Sequence, residues 1–99
     1  MSVMEVMTFR LQHDVEETSF LEADRRVQTE FVPNHVGFVR RTTARGDAGG
    51  AWVVVTLWAS EADADASASK GVDDAVVGTF MSFVDPTSVQ VGRYRTLDA

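Results

Sequence analysis

Two kinds of side chain in this sequence could do chemistry from the positions they occupy: tryptophan and histidine. An indole in a pocket wall can stack on a planar ligand and donate one hydrogen bond from its N–H. Trp58 closes the apolar stretch AWVVVTLWAS at 51–60, whereas Trp52 opens it beside a glycine-rich connection, where packing is its expected role. His35 follows a proline in PNHVGF. Imidazole titrates near neutral pH and is the usual general base, although a histidine in a solvated loop serves no such purpose. His13, beside Asp14 between a strand and a helix, reads as structural or solvent-facing. Arg40, Arg41, Arg93 and Arg95, with Tyr94, fall on strands. An arginine turned into a cavity would orient an acidic or phenolic ligand. Turned outward, it pairs with a surface carboxylate.

Other chemistries find no support in the residue types or their spacing. The chain has no cysteine, which removes disulfides, thiolate metal sites and cysteine nucleophiles together. Its two histidines stand 22 residues apart, and no metal-ligand spacing emerges among the carboxylates. EADAD at 61–65 places acids at alternate positions that do not share a helix face. It also lacks the glycine and the later glutamate of a calcium loop. GDAGGA at 46–51 is glycine-rich but leads into a strand, where a phosphate-cradling loop would open a helix. It is a turn.

Charge narrows the partners. The formal net charge is −6 and Lys70 is the single lysine. A nucleic-acid or anionic-membrane surface needs clustered Lys and Arg to neutralise phosphates, so neither is expected. No run approaches the roughly 20 apolar residues of a membrane span. The opening MSVMEVMTFR has no basic leader or cleavage site, so a cytoplasmic location is the expectation.

The elements that must position these residues follow from periodicity across one domain, residues 1–99. Residues 3–11 form a first strand. Asp14 is expected to cap a helix running to about Phe31, its apolar stripe made of Phe20, Ala23, Val27 and Phe31, with Glu22 paired to Arg26. Pro33 and Asn34 stop it. Residues 36–45 read as a second strand, 46–50 as a hairpin connection and 51–60 as a third strand. Ser60 and Asp63 have capping-box spacing before an alanine-rich helix interrupted at Gly71. Asp73 or Asp74 restarts it, with Val76, Val77, Phe80, Met81 and Val84 as its apolar surface, and 88–97 is the last strand. Strand, helix, strand, strand, helix, strand is the ferredoxin-like β-α-β-β-α-β order, an α+β fold with an antiparallel four-stranded sheet.

The third strand has no polar side. Trp52, Val54, Thr56 and Trp58 share one parity, and Ala51, Val53, Val55 and Leu57 the other. Strands that are apolar on both parities are buried on both faces, yet both helices of this fold cover the same face. A second copy packed sheet to sheet is the simplest cover for the other. A homodimer is predicted.

The tryptophan ending VVVTLWAS, the acidic helix start SEADAD, and the proline before a Gly-Phe strand in VPNHVGFVRR resemble the dimeric α/β-barrel proteins. Within them, the chain is most similar to the antibiotic-biosynthesis-monooxygenase-like family. The resemblance implies a cavity between sheet and helices with Trp58 on its wall. It also implies oxidation of a small phenol or quinol-like molecule by dioxygen, with no flavin, haem or metal cofactor. Trp58 and His35 are then the candidate catalytic residues, and Thr8, Trp58, Phe80, Met81 and Phe83 the candidate substrate-binding ones. The haem-degrading branch pairs the tryptophan with a strand-one Asn and a His on the second helix. Here Thr8 and Phe9 occupy the strand and ASEADADASASK has no His. A non-catalytic dimer that binds a hydrophobic ligand, or a stress-associated protein with a closed core, is the alternative. A hollow cavity at Trp58 with His35 or an arginine facing it separates the two.

Overall fold

The alternation in AWVVVTLW resolves into a strand whose even residues are buried and whose odd residues are half-buried. The structure, a computed structural model, describes residues 1–47 and 50–97. The strands β1 (Val3–Arg10), β2 (Phe38–Arg45), β3 (Ala51–Trp58) and β4 (Gln90–Arg95) form one antiparallel sheet in the order β2-β3-β1-β4. The two strands that are apolar on both parities, β1 and β3, occupy its centre. The helices are α1 (Glu17–Arg26), α2 (Glu61–Gly71) and α3 (Ala75–Ser82). Part of the expected turn at 46–50, residues 48 and 49, lies outside the described residues.

Several local expectations are corrected. Asp14 is not the first cap: it adopts φ 63°, a left-handed conformation Asp tolerates, and α1 begins at Glu17 behind Glu16 without a side-chain cap. Glu22 pairs with Arg25, and Arg26 instead reaches Glu30. The helical run does extend to Phe31, through a π turn (Val27–Phe31), and Pro33 and Asn34 fall in a 3₁₀ turn (Val32–Asn34) that follows it. A π turn closes i to i+5, so Val27 and Val32 lie on one side, and both are buried. Ser60 and Asp63 do form a reciprocal cap, with the Asp63 N–H donating to Ser60 Oγ at 3.1 Å and the Ser60 hydroxyl donating to Asp63 Oδ2 at 2.9 Å. Asp74, rather than Asp73, caps α3 by accepting from the N–H groups of Val76 and Val77.

One irregularity decides which arginine turns inward. Pairing between β2 and β3 slips between Phe38 and Arg40. An extra residue in one strand reverses its parity beyond the slip. Phe38 and Arg41 therefore both look toward the helices, and Arg40 is exposed on the open face.

The core sits under α1 and α3. Phe20 is fully buried, with its ring 5.0 Å from Trp52, 5.3 Å from Phe80 and 5.9 Å from Phe9 between centroids. The opposite face of the sheet carries Met4, Val6, Val53, Val55, Leu57 and Tyr94, none of them buried and none beneath a helix. No described helix is long and apolar enough to cross a membrane.

Candidate functional site

Register places one polar row across the helix-facing side of the sheet. Arg41 on β2 pairs with Thr56 on β3, Thr56 with Glu5 on β1, and Glu5 with Arg93 on β4. In antiparallel strands, residues directly opposite share a face with side chains in reach of one another. One row toward the end of β3 stand Phe38, Trp58 and Val3. Charged residues so placed must be satisfied or they destabilise the fold. Glu5 accepts from Arg93 Nε at 3.0 Å, and Arg93 also pairs with Asp65 of α2. Those two hydrogen bonds, Asp65's first, hold the Arg93 pKa above the ordinary arginine value. Arg41, its side chain almost fully buried, pairs with Asp24 of α1 at 2.9 Å and lies 5.6 Å over the Phe80 ring.

Above this row the molecule is hollow. A cavity of about 490 Å³ lies between the sheet and α2/α3. Its floor includes Glu5, Met7, Arg41, Val54, Thr56 and Trp58. The cause is on α2, which presents Ala64, Ser67, Ala68 and Gly71 to it. At spacings of three and four these lie on one helix face, and none carries a bulky side chain. On α3, a Cβ added at Gly78 would meet nothing within 4 Å. Val27, Phe31 and Val32 close one side, and Val72 and Met81, both exposed, border the cavity as well.

Trp58 forms part of the wall. It is 3% exposed, and its Nε1 is the one buried side-chain polar atom without a hydrogen-bond partner among the described residues. Leaving such a donor unpaired costs about 1–3 kcal/mol. Its ring is otherwise held by Phe38, 5.8 Å away edge to face, and by His35, 6.5 Å away and nearly parallel.

His35 stands behind this wall rather than on it. Its ring packs edge-on against Phe31 at 4.2 Å, and its Nδ1 lies 2.6 Å from Ser67 Oγ, a residue that does line the cavity. Burial first, and the nearby Lys70 second, push the imidazole pKa below 6.5, with Asp74 opposing them. The loop carrying His35 is fixed by Gly37, whose φ is +81°. A Cβ there would collide with the Asp63 carboxylate, so only glycine lets the loop sit against the start of α2.

Trp58, Phe80 and Met81 are thus brought together around one space, with Arg41 from the four arginines. Thr8 and Phe83 are not. Thr8 is exposed on the other side of β1, because it shares parity with Met4 and Val6. Phe83 follows α3 and packs 6.3 Å from Phe20 in the core, away from the cavity. Sequence reasoning did not single out Glu5 or Ser67. Glu5 was detectable as a charge on the apolar parity of Val3, Met7 and Phe9, and Ser67 as one member of a small-residue face. The α2 side of the cavity offers no imidazole to a haem iron. Among the described residues no three His, Asp or Glu side chains gather to hold a metal.

No family model matches the sequence, and no curated protein matches it. Solved structures do. SnoaB, a cofactor-independent oxygenase from Streptomyces nogalater, superposes in a mutant form with a TM-score of 0.80 at 15% identity, over 99% of this chain and 95% of that one. A candidate antibiotic biosynthesis monooxygenase from Caulobacter crescentus gives 0.79 at 15% identity, over 98% and 91%. Another, from Nitrosomonas europaea, gives 0.74 at 17% identity, over 97% and 90%. At these identities the likeness establishes the fold alone. The chain shares the ferredoxin-like fold of these structures.

Proposed function

We propose that the cavity under α2 binds a small planar phenol or quinol-like molecule and that the protein oxidises it with dioxygen, without a bound cofactor. The observation that carries this reading is Trp58 in the wall of a largely apolar cavity, with its buried N–H left without a partner. The N–H has no accessible surface as it stands, so a ligand oxygen accepts from it once the indole shifts toward the cavity, and Phe80 and Met81 supply apolar surface for the rings. The polar row beneath offers Thr56 and the Arg41 guanidinium to an oxygen that gains negative charge. The reaction balances on its own: the substrate loses two hydrogens, both from the reacting methylene in the keto tautomer or one from carbon and one from the hydroxyl in the phenol, and the carbon gains one atom of O₂ as a carbonyl. The second oxygen leaves with those hydrogens as water. The substrate supplies every electron, so the protein need only remove a proton, position the anion and keep the site dry.

Oxygen uptake with a panel of anthrone-like phenols tests the reading. The wild type is expected to accelerate uptake, and Trp58→Ala and His35→Ala to slow it at least about tenfold, the worth of one hydrogen bond or more. Equal rates in all three proteins would remove both assignments. A second reading, ligand binding without turnover, is favoured by the absence of His35 from the cavity lining. It predicts binding with no uptake above background.

The open sheet face supports a homodimer packed sheet to sheet. Val53, Val55 and Leu57 are only half-buried in one chain, and Tyr94 and Met4 are exposed beside them. A face of this kind on a single chain is rarely left in water. Light scattering should give a dimer at micromolar concentration and a monomer for Val55→Asp; a monomeric wild type would refute the arrangement.

A further inference from the structure

If the cavity takes an acidic aromatic substrate, as proposed above, the base that ionises it is not evident on the lining. The Glu5 carboxylate is committed to Arg93. The imidazole of His35 does not border the cavity, but Ser67 does, and its hydroxyl lies 2.6 Å from Nδ1. We infer that Ser67 and His35 form a two-residue proton relay, in which Ser67 Oγ takes the substrate's acidic proton while its own hydroxyl proton passes to His35 Nδ1.

The step balances. One substrate C–H or O–H bond breaks and one Oγ–H bond forms; the original Oγ–H bond breaks and an Nδ1–H bond forms. The products are a substrate anion and an imidazolium, and Ser67 ends as it began. The relay needs the neutral ring with its proton on Nε2, leaving Nδ1 as acceptor. The surroundings favour that neutral form. Phe31 packs on the ring edge from the π turn and Trp58 lies nearly parallel to it from β3. The charged groups that act on it are Lys70 at the end of α2, which opposes a second positive charge, and Asp74 at the start of α3, which partly offsets Lys70. Gly37 sets the loop that carries the ring directly against Asp63 of the α2 cap. Ser67 is therefore the candidate catalytic residue, and His35 acts through it.

Proton removal can be read without oxidation. Anthrone in D₂O, held strictly free of oxygen, exchanges its acidic methylene hydrogens for deuterium whenever a base forms the anion, and mass spectrometry follows the exchange. The wild type is expected to accelerate exchange, and Ser67→Ala to lose roughly 100-fold of that acceleration, the scale of one general base. His35→Gln should lose as much, Ser67→Thr should retain most of it, and added imidazole should partly restore His35→Ala. The wild-type rate should fall as pH drops through a midpoint below 6.5, because protonated His35 accepts no proton, whereas His35→Gln should lack that inflection. Alanine is a better helix former than serine, so Ser67→Ala should fold, and a thermal melt confirms it. Full exchange in both Ser67→Ala and His35→Gln, with the inflection unmoved, overturns the relay even if oxygen uptake is observed. Exchange that depends on both residues without any oxygen uptake leaves the relay standing and refutes the oxygenase reading. No accelerated exchange by the wild type refutes the relay outright.

Discussion

Strand β3 carries a tryptophan at each end of its helix-facing side, and the two have opposite surroundings. Trp52 sits against Phe20 under α1, with the Arg45 guanidinium 5.1 Å over its ring. Trp58 lies beside a cavity with its N–H unpaired. Both are at most 5% exposed and six residues apart on the same strand parity, so neither the sheet nor the extent of burial explains the difference. The covering helix does. Over Trp52, α1 lowers the Phe20 ring; beside Trp58, α2 lowers only Ala64, Ser67, Ala68 and Gly71. Large side chains close the first half of the core. Small ones keep the second half open, and a hollow with one unsatisfied donor is what a ligand site requires.

The contrast can be attacked where it is strongest. Phe20→Ala removes the fully buried ring at the centre of the packed half, and should cost about 3–5 kcal/mol in chemical denaturation. Loss below 1 kcal/mol would mean that half is not closely packed. Arg41 stands at the seam, over Phe80 on one side and bordering the cavity on the other. Arg41→Leu leaves the Asp24 carboxylate only the Thr43 hydroxyl at 2.7 Å and should cost about 3 kcal/mol, part of it recovered when Asp24→Leu is added. A double variant no better than the single one would show that the guanidinium is held by something other than that pair. In the hollow half the sign reverses. Gly78→Ala places its methyl in open space and improves helix propensity, so it should stabilise the protein by about 0.5–1 kcal/mol. A destabilised Gly78→Ala would indicate that the space is filled in solution.

How much of this was legible in the sequence depends on how local its cause is. The order of elements along the chain, the sharing of one strand side by Trp52 and Trp58 and the Ser60 cap all follow from patterns spanning a few residues. That this side faces the helices came from the family resemblance, because both sides of the strand are apolar. The direction of Arg41 does not, because a register slip between Phe38 and Arg40 reverses the parity of β2 and leaves no clear signature in FVRRTTAR. The start of α1 escaped for a similar reason: Asp14 was read as a cap, but its left-handed backbone makes it a turn residue. In the site, Trp58 was legible as an aromatic closing an apolar strand. The contact of His35 with Ser67 joins residues 32 apart, and no spacing rule reports a pair that only the folded chain brings together. The alanine-rich run of α2 was visible, although its meaning as a missing ceiling appears only once the sheet lies beneath it.

The central claim, that the two tryptophans differ in function because their ceilings differ, is tested most directly by one paired binding measurement. A planar naphthol or anthrone is titrated by calorimetry into the wild type, Trp58→Phe and Trp52→Phe, each confirmed folded at the working temperature. Phenylalanine keeps an aromatic ring and removes the N–H in both variants. The account predicts that Trp58→Phe weakens binding about tenfold, the worth of one hydrogen bond, and that Trp52→Phe leaves it unchanged within error. Equal affinities in all three proteins, or a loss confined to Trp52→Phe, would contradict it.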